Sequence, residues 1–376
     1  MMNWAKNSLV LVVSVAVVLV VLEISLRLSE PKRVEPVSCR TFHPLLHHFF
    51  VPSTSCQFKT QEWNTTYNIN SAGIRDQEYS LEKPAGIYRV LVTGDSFTEG
   101  FGVENNEAFV NKLEAYVNQT SDRQVEVINA GVSSWSPTTE YIFLKNFGLK
   151  FNPDLVIVVV TVSDFSDEYF YEREMANLGA ETQLFTAPVA VAVETKTKTR
   201  LRDKLKMYNF LSIKIKTMLG RYNPIGGVHP LDIGKVEKDQ MAVSRLDEPV
   251  GYQSSLDKME QRLQQIADLL SSQKRKFLLV LLPHPHMVNG QEWAKGRSFF
   301  GFKKGVTYSR RGFDDLAVWA KMHGIDNLDL TPTLQIASAS RRLYFDNDGH
   351  LNSEGHDIVA KALHTYLTPK FSSLSK

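Results

Sequence analysis

Gly94-Asp95-Ser96-Phe97-Thr98-Glu99-Gly100 comes one residue after the apolar run Tyr88-Arg89-Val90-Leu91-Val92. A buried strand ending in a turn of small residues holds one hydroxyl at the carboxyl edge of a sheet, where α/β enzymes place their reactive groups. Ser96 is thereby the first candidate nucleophile. The chain beyond it supports such a sheet. Residues 90–93, 125–128, 155–162, 277–282 and 327–330 are short apolar runs, and helical patterns at 107–117, 138–147 and 254–272 separate most of them. Strands apolar on both faces and alternating with helices predict a parallel sheet covered on both sides, a three-layer α/β/α fold closed by a helix over 354–366.

A serine needs a base to take its proton and an acid to orient that base. Tyr344-Phe345-Asp346-Asn347-Asp348-Gly349-His350-Leu351-Asn352-Ser353-Glu354-Gly355-His356 supplies candidates for both. A loop before a helix presents His350 towards the sheet edge, with Asp348 on its other ring nitrogen and Asp346 as a second candidate acid. His356 falls inside the predicted helix, where capping or packing is the more natural role. An acyl-transfer site also needs donors for the developing oxyanion. Asn129-Ala130-Gly131 follows the second strand as Gly94-Asp95-Ser96 follows the first, offering the Gly131 amide. The third strand ends in Thr161-Val162-Ser163-Asp164, so three strand ends converge.

The 376 residues carry 43 Lys+Arg against 41 Asp+Glu, and a net charge of +2 gives no reason to expect nucleic acid as a partner. Residues 9–22 are aliphatic apart from Ser14. A bilayer span takes about 20 apolar residues, so the segment must run on through Glu23-Ile24-Ser25-Leu26. A signal peptide is the rival reading, but no small-x-small cleavage site follows, and an uncleaved anchor is expected. Lys6 on one side and Arg27, Lys32 and Arg33 on the other leave its orientation open.

The division is an anchor over 1–29, a lead-in over 30–84 and the α/β domain over 85–370, with a long insertion at about 165–252. Within the insertion, residues 196–221 are strongly basic with apolar positions at helical spacing. They read either as a solvated helix packed by its leucines or as a surface for lipid or an acidic polymer. The two cysteines, Cys39 and Cys56, fit one disulfide in an oxidising compartment or two buried thiols. His43, His47 and His48 have no acidic or thiol partner at ligand spacing, and neither metal nor cofactor is expected.

Taken together, Gly94 to Gly100, Asn129-Ala130-Gly131 and Asp348-Gly349-His350-Leu351-Asn352 resemble the blocks of the SGNH, or GDSL-type, hydrolase family, over roughly residues 68–367. The resemblance implies a flavodoxin-like sheet, Ser96 as nucleophile, His350 as base, Asp348 as its partner, and oxyanion donors from the Ser96 and Gly131 amides. The family's third donor is an asparagine in a Gly-x-Asn-Asp block, and the matching position here is Ser163. The commonest family spacing of acid and histidine would select Asn347. The one-residue spacing found here also occurs in a branch resembling alginate-type O-acetyltransferases, and the lead-in Ile69-Asn70-Ser71-Ala72-Gly73-Ile74-Arg75 resembles that of anchored bacterial members found with exopolysaccharide systems. The implied function is a serine esterase or O-acyltransferase acting on acyl, chiefly acetyl, esters of an envelope or extracellular polysaccharide. Its domain would be held in the periplasm by a single inner-membrane helix. The alternative is a catalytically weak or inactive member serving as a glycan-binding or assembly factor.

Overall fold

A computed structural model describes residues 2–29, 39–168, 171, 241–245 and 251–372. The amino-terminal unit contributes one described element, the 28-residue helix α1 (Met2–Ser29). Among the described residues no helix is long and apolar enough to cross a membrane. The basic stretch at 196–221 lies outside the described residues, as does most of the insertion.

The larger unit is built on five parallel strands, β5 (Tyr88–Gly94), β6 (Val125–Gly131), β7 (Leu155–Val160), β8 (Lys276–Leu281) and β9 (Asp326–Asp329), in the spatial order β6-β5-β7-β8-β9. Leu91 lies between Ile128 of β6 and Val156 of β7. Every residue of β5 and β7 is buried, as expected of strands covered on both faces. The alternation of side chains along each strand divides the core. Val90, Val92, Ile157 and Val159 pack with α3 (Phe109–Thr120) and α7 (Ser353–Ser372) on one face. Leu91, Val156, Val158 and Val160 pack with α4 (Pro137–Asn146), α5 (Tyr252–Ser272) and α6 (Arg311–Met322) on the other. This is the expected three-layer α/β/α architecture, with the first strand central and the order reversing beside it, the place where such sheets hold their ligands.

The lead-in folds as two antiparallel hairpins, β1 (Arg40–His43) with β2 (His47–Phe50), and β3 (Ser55–Lys59) with β4 (Asn64–Asn68). Cys39 and Cys56 form a disulfide that ties the hairpins together, with Cα atoms 5.8 Å apart. Leu45, Leu46, Phe50, Tyr67, Ile69 and Ile74 enter the same hydrophobic cluster as Leu91, Ile128 and Val158. The lead-in therefore completes the core on one face of the sheet.

Candidate active site

Ser96 opens the four-residue helix α2 (Ser96–Glu99) directly beyond β5. Asp95 caps it, its Oδ1 accepting from the Phe97 amide at 2.9 Å, while Oδ2 accepts from Thr161 Oγ1 at the end of β7 at 2.8 Å. The turn must also lie close against β6. A Cβ at Gly131 would stand 2.6 Å from the Thr98 carbonyl carbon, so only glycine fits there. These constraints leave the Ser96 hydroxyl at the carboxyl edge, where it meets His350 Nε2 at 2.7 Å.

His350 reaches that point on a loop between Tyr344 and Leu351, which pair in an isolated bridge. Its Nδ1 bonds Asp348 Oδ1, which also accepts the His350 backbone N–H at 3.2 Å. Gly349 has φ of +86°, and a Cβ there would come within 2.7 Å of the Trp293 ring, leaving no room for a side chain. The carbonyl side of the loop is held by the segment around Trp293. Trp293 Nε1 donates to the Asn347 carbonyl at 3.0 Å, and the Lys295 and Gly296 amides donate to the Asp346 carbonyl. Asp346 accepts from the Ala294 amide and pairs with Lys295, so it stands apart from His350. His356 is buried, stacks on Phe109 and accepts the Phe109 amide at the start of α3.

Burial opposes charge on His350. The adjacent Asp348 carboxylate and its hydrogen bond outweigh that, with Asp95 and Glu99 adding in the same sense, and the imidazole is held above its ordinary value of 6.5. Its ring packs against those of Phe97 and Phe101, with centroids 4.9 and 4.8 Å away.

The structure places the three sequence-derived oxyanion candidates around the same edge. The Ser96 amide opens a helix, where N–H groups lack intrahelical acceptors. The Gly131 amide donates to Asn129 Oδ1 at 3.1 Å. Ser163 Oγ is 2.8 Å from Thr161 Oγ1 and 3.4 Å from both Asp95 Oδ2 and His284 Nε2, so its hydroxyl has three polar neighbours. Among the described residues no group of three or more His, Cys, Asp or Glu side chains could hold a metal ion. His48 Nε2 bonds the Ser133 carbonyl, and His43 Nδ1 accepts the Leu45 and Leu46 amides.

Sequence reasoning missed several residues. His284, just beyond β8, packs on Phe97 beside Ser163, and burial with the nearby His350 lowers its pKa to about 3. Its isolation in Pro283-His284-Pro285-His286 gave no periodic signal. Arg40 forms a buried ion pair with Glu99 of the nucleophile turn, 59 residues on. Arg75 donates to the Glu99 and Gly100 carbonyls at 2.9 and 2.8 Å. Glu62, at the tip of the β3–β4 hairpin, accepts backbone N–H groups from the Asp348 loop.

With this geometry in place, the comparisons with known proteins give the family. The model of the GDSL-like Lipase/Acylhydrolase family matches residues 92–358, and the chain belongs to that family. It is an ester hydrolase. No protein with a curated description matches the chain. Among solved structures, it is similar to a putative lipolytic protein of the G-D-S-L family from Desulfitobacterium hafniense DCB-2, at 15% identity and a TM-score of 0.37, covering 74% of this chain and 98% of that one. It is also similar to a catalytic mutant of Axe2, an acetylxylan esterase from Geobacillus stearothermophilus, at 12% identity and a TM-score of 0.40, covering 73% and 92%. A third is the acetyl xylan esterase AlAXEase, at 14% identity and a TM-score of 0.39, covering 74% and 100%.

Proposed function

We propose that Ser96, His350 and Asp348 form the catalytic triad of a serine esterase acting on acetyl esters of an envelope or extracellular polysaccharide. The observation that carries this reading is the unbroken line from Ser96 Oγ to His350 Nε2, at 2.7 Å, and on from Nδ1 to Asp348. With the Nδ1–H of the neutral imidazole donating to Asp348, the Nε2 lone pair faces the hydroxyl and takes its proton as Oγ attacks the ester carbonyl. The Ser96 and Gly131 amides meet the oxyanion, the latter exchanging Asn129 Oδ1 for it. His350 returns the proton to the leaving sugar hydroxyl. Water, deprotonated in turn by His350, then attacks the acyl carbon, and the C–Oγ bond breaks as His350 returns the proton to Ser96.

If a sugar hydroxyl takes the place of that water, the same residues perform O-acyl transfer. The acetylxylan esterase activity named for two of the similar structures fits an acetylated glycan as the substrate. In this reading residues 1–29 attach the chain to a bacterial inner membrane and the domain is periplasmic. The Cys39–Cys56 disulfide fits an oxidising compartment.

The test is incubation of the full chain in mild detergent with a short-chain aryl ester and a serine-directed phosphonate, beside Ser96→Ala. Turnover and covalent labelling at Ser96 are expected, and both vanish in the variant. Absence of both from the native protein would sink the reading. An oligosaccharide acceptor that becomes acylated would identify transfer.

The engagement of Ser163 by Thr161 favours a second reading, a catalytically weak member retained for glycan binding or assembly. That reading expects glycan binding that survives Ser96→Ala, with turnover only modestly above the variant's.

A further inference from the structure

We propose that Glu62 is a positioning residue for the acid/base loop, and that the β3–β4 hairpin thereby belongs to the catalytic apparatus. The proposal rests on the triad reading above. Three consecutive amides of the loop converge on one carboxylate. The Asp346 N–H donates to Glu62 Oε1 at 2.8 Å, the Asn347 N–H to both oxygens at 3.0 Å, and the Asp348 N–H to Oε2 at 3.0 Å. Successive N–H groups pointing one way make a concavity suited to an anion, and here a side chain of the same chain fills it. Hydrogen bonds to a carboxylate are shorter and stronger than neutral ones.

The geometry links Glu62 to the chemistry through a single residue. The Asp348 N–H is gripped by Glu62, while Oδ1 of the same residue holds both the backbone N–H and the Nδ1 of His350. The carbonyl side of the loop is already fixed by the Trp293 segment. Glu62 fixes the amide side, so the loop is held between two supports. The hairpin tip is itself made rigid: Thr60 Oγ1 accepts the Glu62 and Trp63 amides at 3.1 and 3.2 Å, and the Thr60 amide donates to the Trp63 carbonyl. Trp63 supplies a second route, packing edge-on against Phe101, whose ring in turn lies against His350. Two adjacent residues of the lead-in thus support both halves of the Asp348–His350 pair, and the disulfide at Cys56 anchors the strand that carries them.

Without the carboxylate the three amides lose their acceptor and the loop relaxes. The Asp348–His350 bond lengthens, and His350 loses part of the charge support that holds its pKa up. The test compares the full chain with Glu62→Ala, Glu62→Gln and Glu62→Asp in mild detergent. With a short-chain aryl ester, kcat of Glu62→Ala falls by about 100-fold, the scale of a misplacement near 1 Å. KM stays within about twofold, as for an interaction that acts on the chemical step alone. The acid limb of the pH profile moves to lower pH, and Glu62→Asp recovers part of both losses.

Wild-type kcat per folded molecule together with an unmoved acid limb, whatever happens to thermal stability, would reduce Glu62 to a structural role and overturn the proposal. If Glu62→Ala does not fold, the nearly isosteric Glu62→Gln carries the same two readouts. The His350 imidazole titration followed by NMR needs no substrate. Should the native protein hydrolyse nothing, the esterase reading fails, yet a lower His350 midpoint in the variant still supports the clamp and an identical one removes it.

Discussion

Replacing Arg40 by Met tests how the lead-in supports the nucleophile turn. Arg40 and Glu99 side chains are 1% and 0% exposed, and Arg40 Nη2 also bonds Ser133 Oγ at 2.9 Å. Glu99 Oε2 accepts from the Ser133 amide and hydroxyl at 2.5 and 2.8 Å. Removing one partner of a buried pair typically costs about 3–5 kcal/mol, because the other charge is left without compensation. That is a large share of the roughly 5–15 kcal/mol that holds a domain together.

The loss carries a pH signature. Burial pushes the Glu99 carboxyl up, but the Arg40 charge, the Ser133 hydrogen bonds and Arg75 pull it below its ordinary 4.5. A carboxyl lowered in the folded state stabilises above its unfolded pKa and loses that contribution as pH falls through the folded value. In Arg40→Met the carboxyl rises and takes up a proton instead. The gap between wild type and variant is therefore widest at neutral pH and narrows below about pH 4.5.

Urea unfolding followed by tryptophan fluorescence at pH 7.5 and pH 4 measures both quantities. Adding Glu99→Leu recovers most of the loss, since a buried pair replaced by apolar groups is close to neutral. A loss under about 1 kcal/mol at pH 7.5 would refute the argument. A larger loss independent of pH would assign the effect to the Arg40 guanidinium packed 4.9 Å over the Phe50 ring.

Other expectations follow from the same structure. Because His350 is held above 6.5 and acts only when neutral, kcat/KM for ester hydrolysis should rise with pH through a midpoint above that value; a limb at or below 6.5 contradicts the Asp348 support. Cys39→Ala/Cys56→Ala opens a loop of 17 residues and should cost about 3 kcal/mol by the loop-entropy relation, read as a shift in urea midpoint that reductant alone reproduces in the native protein. Glu140 is fully buried with neither carboxyl oxygen bonded, and burial together with the Asp95 and Glu168 charges holds its pKa well above 4.5. A raised carboxyl makes stability fall as pH climbs from the unfolded towards the folded pKa. Glu140→Gln should therefore raise the melting temperature at pH 8 and change it little at pH 4, and a lower melting temperature at pH 8 contradicts this.

The parts of the molecule legible in the sequence are those whose signal is local. Strands such as Val90 to Val92 are apolar on both faces and bounded by turn residues, so their periodicity alone predicts a covered parallel sheet. Ser96 and the Asp348–His350 pair lie in compact blocks whose order suggested one crevice, and the structure places them within hydrogen-bond reach. The supports around them were invisible for a physical reason. Arg40 with Glu99, and Glu62 with Asp346 to Asp348, are contacts between residues 59 and more than 280 positions apart, and each partner alone is an ordinary charged residue in a turn or hairpin. The cysteine pairing stayed open because two cysteines are equally content as thiols until the hairpins bring their Cα atoms to 5.8 Å. Ser163 shows the remaining limit: its position in the third strand end was readable, whereas its contacts with Thr161 and with His284, 121 positions on, follow from no spacing rule.

The 254 positions between Ser96 and His350 also set an order of events in the life of each molecule. Arg40, Arg75, Glu99 and Ser133, which cradle the nucleophile turn, all leave the ribosome early. At roughly 5–20 residues per second, His350 follows Ser96 by roughly 10 to 50 s. For most of that interval, once Ser133 has followed, the residues of the cradle are present while Glu62 has no loop to hold, and without its base the nascent chain is inert. Activity arrives in one late step, when the carboxyl-terminal loop docks, and a chain that stops short of it is a silent product rather than a misdirected esterase.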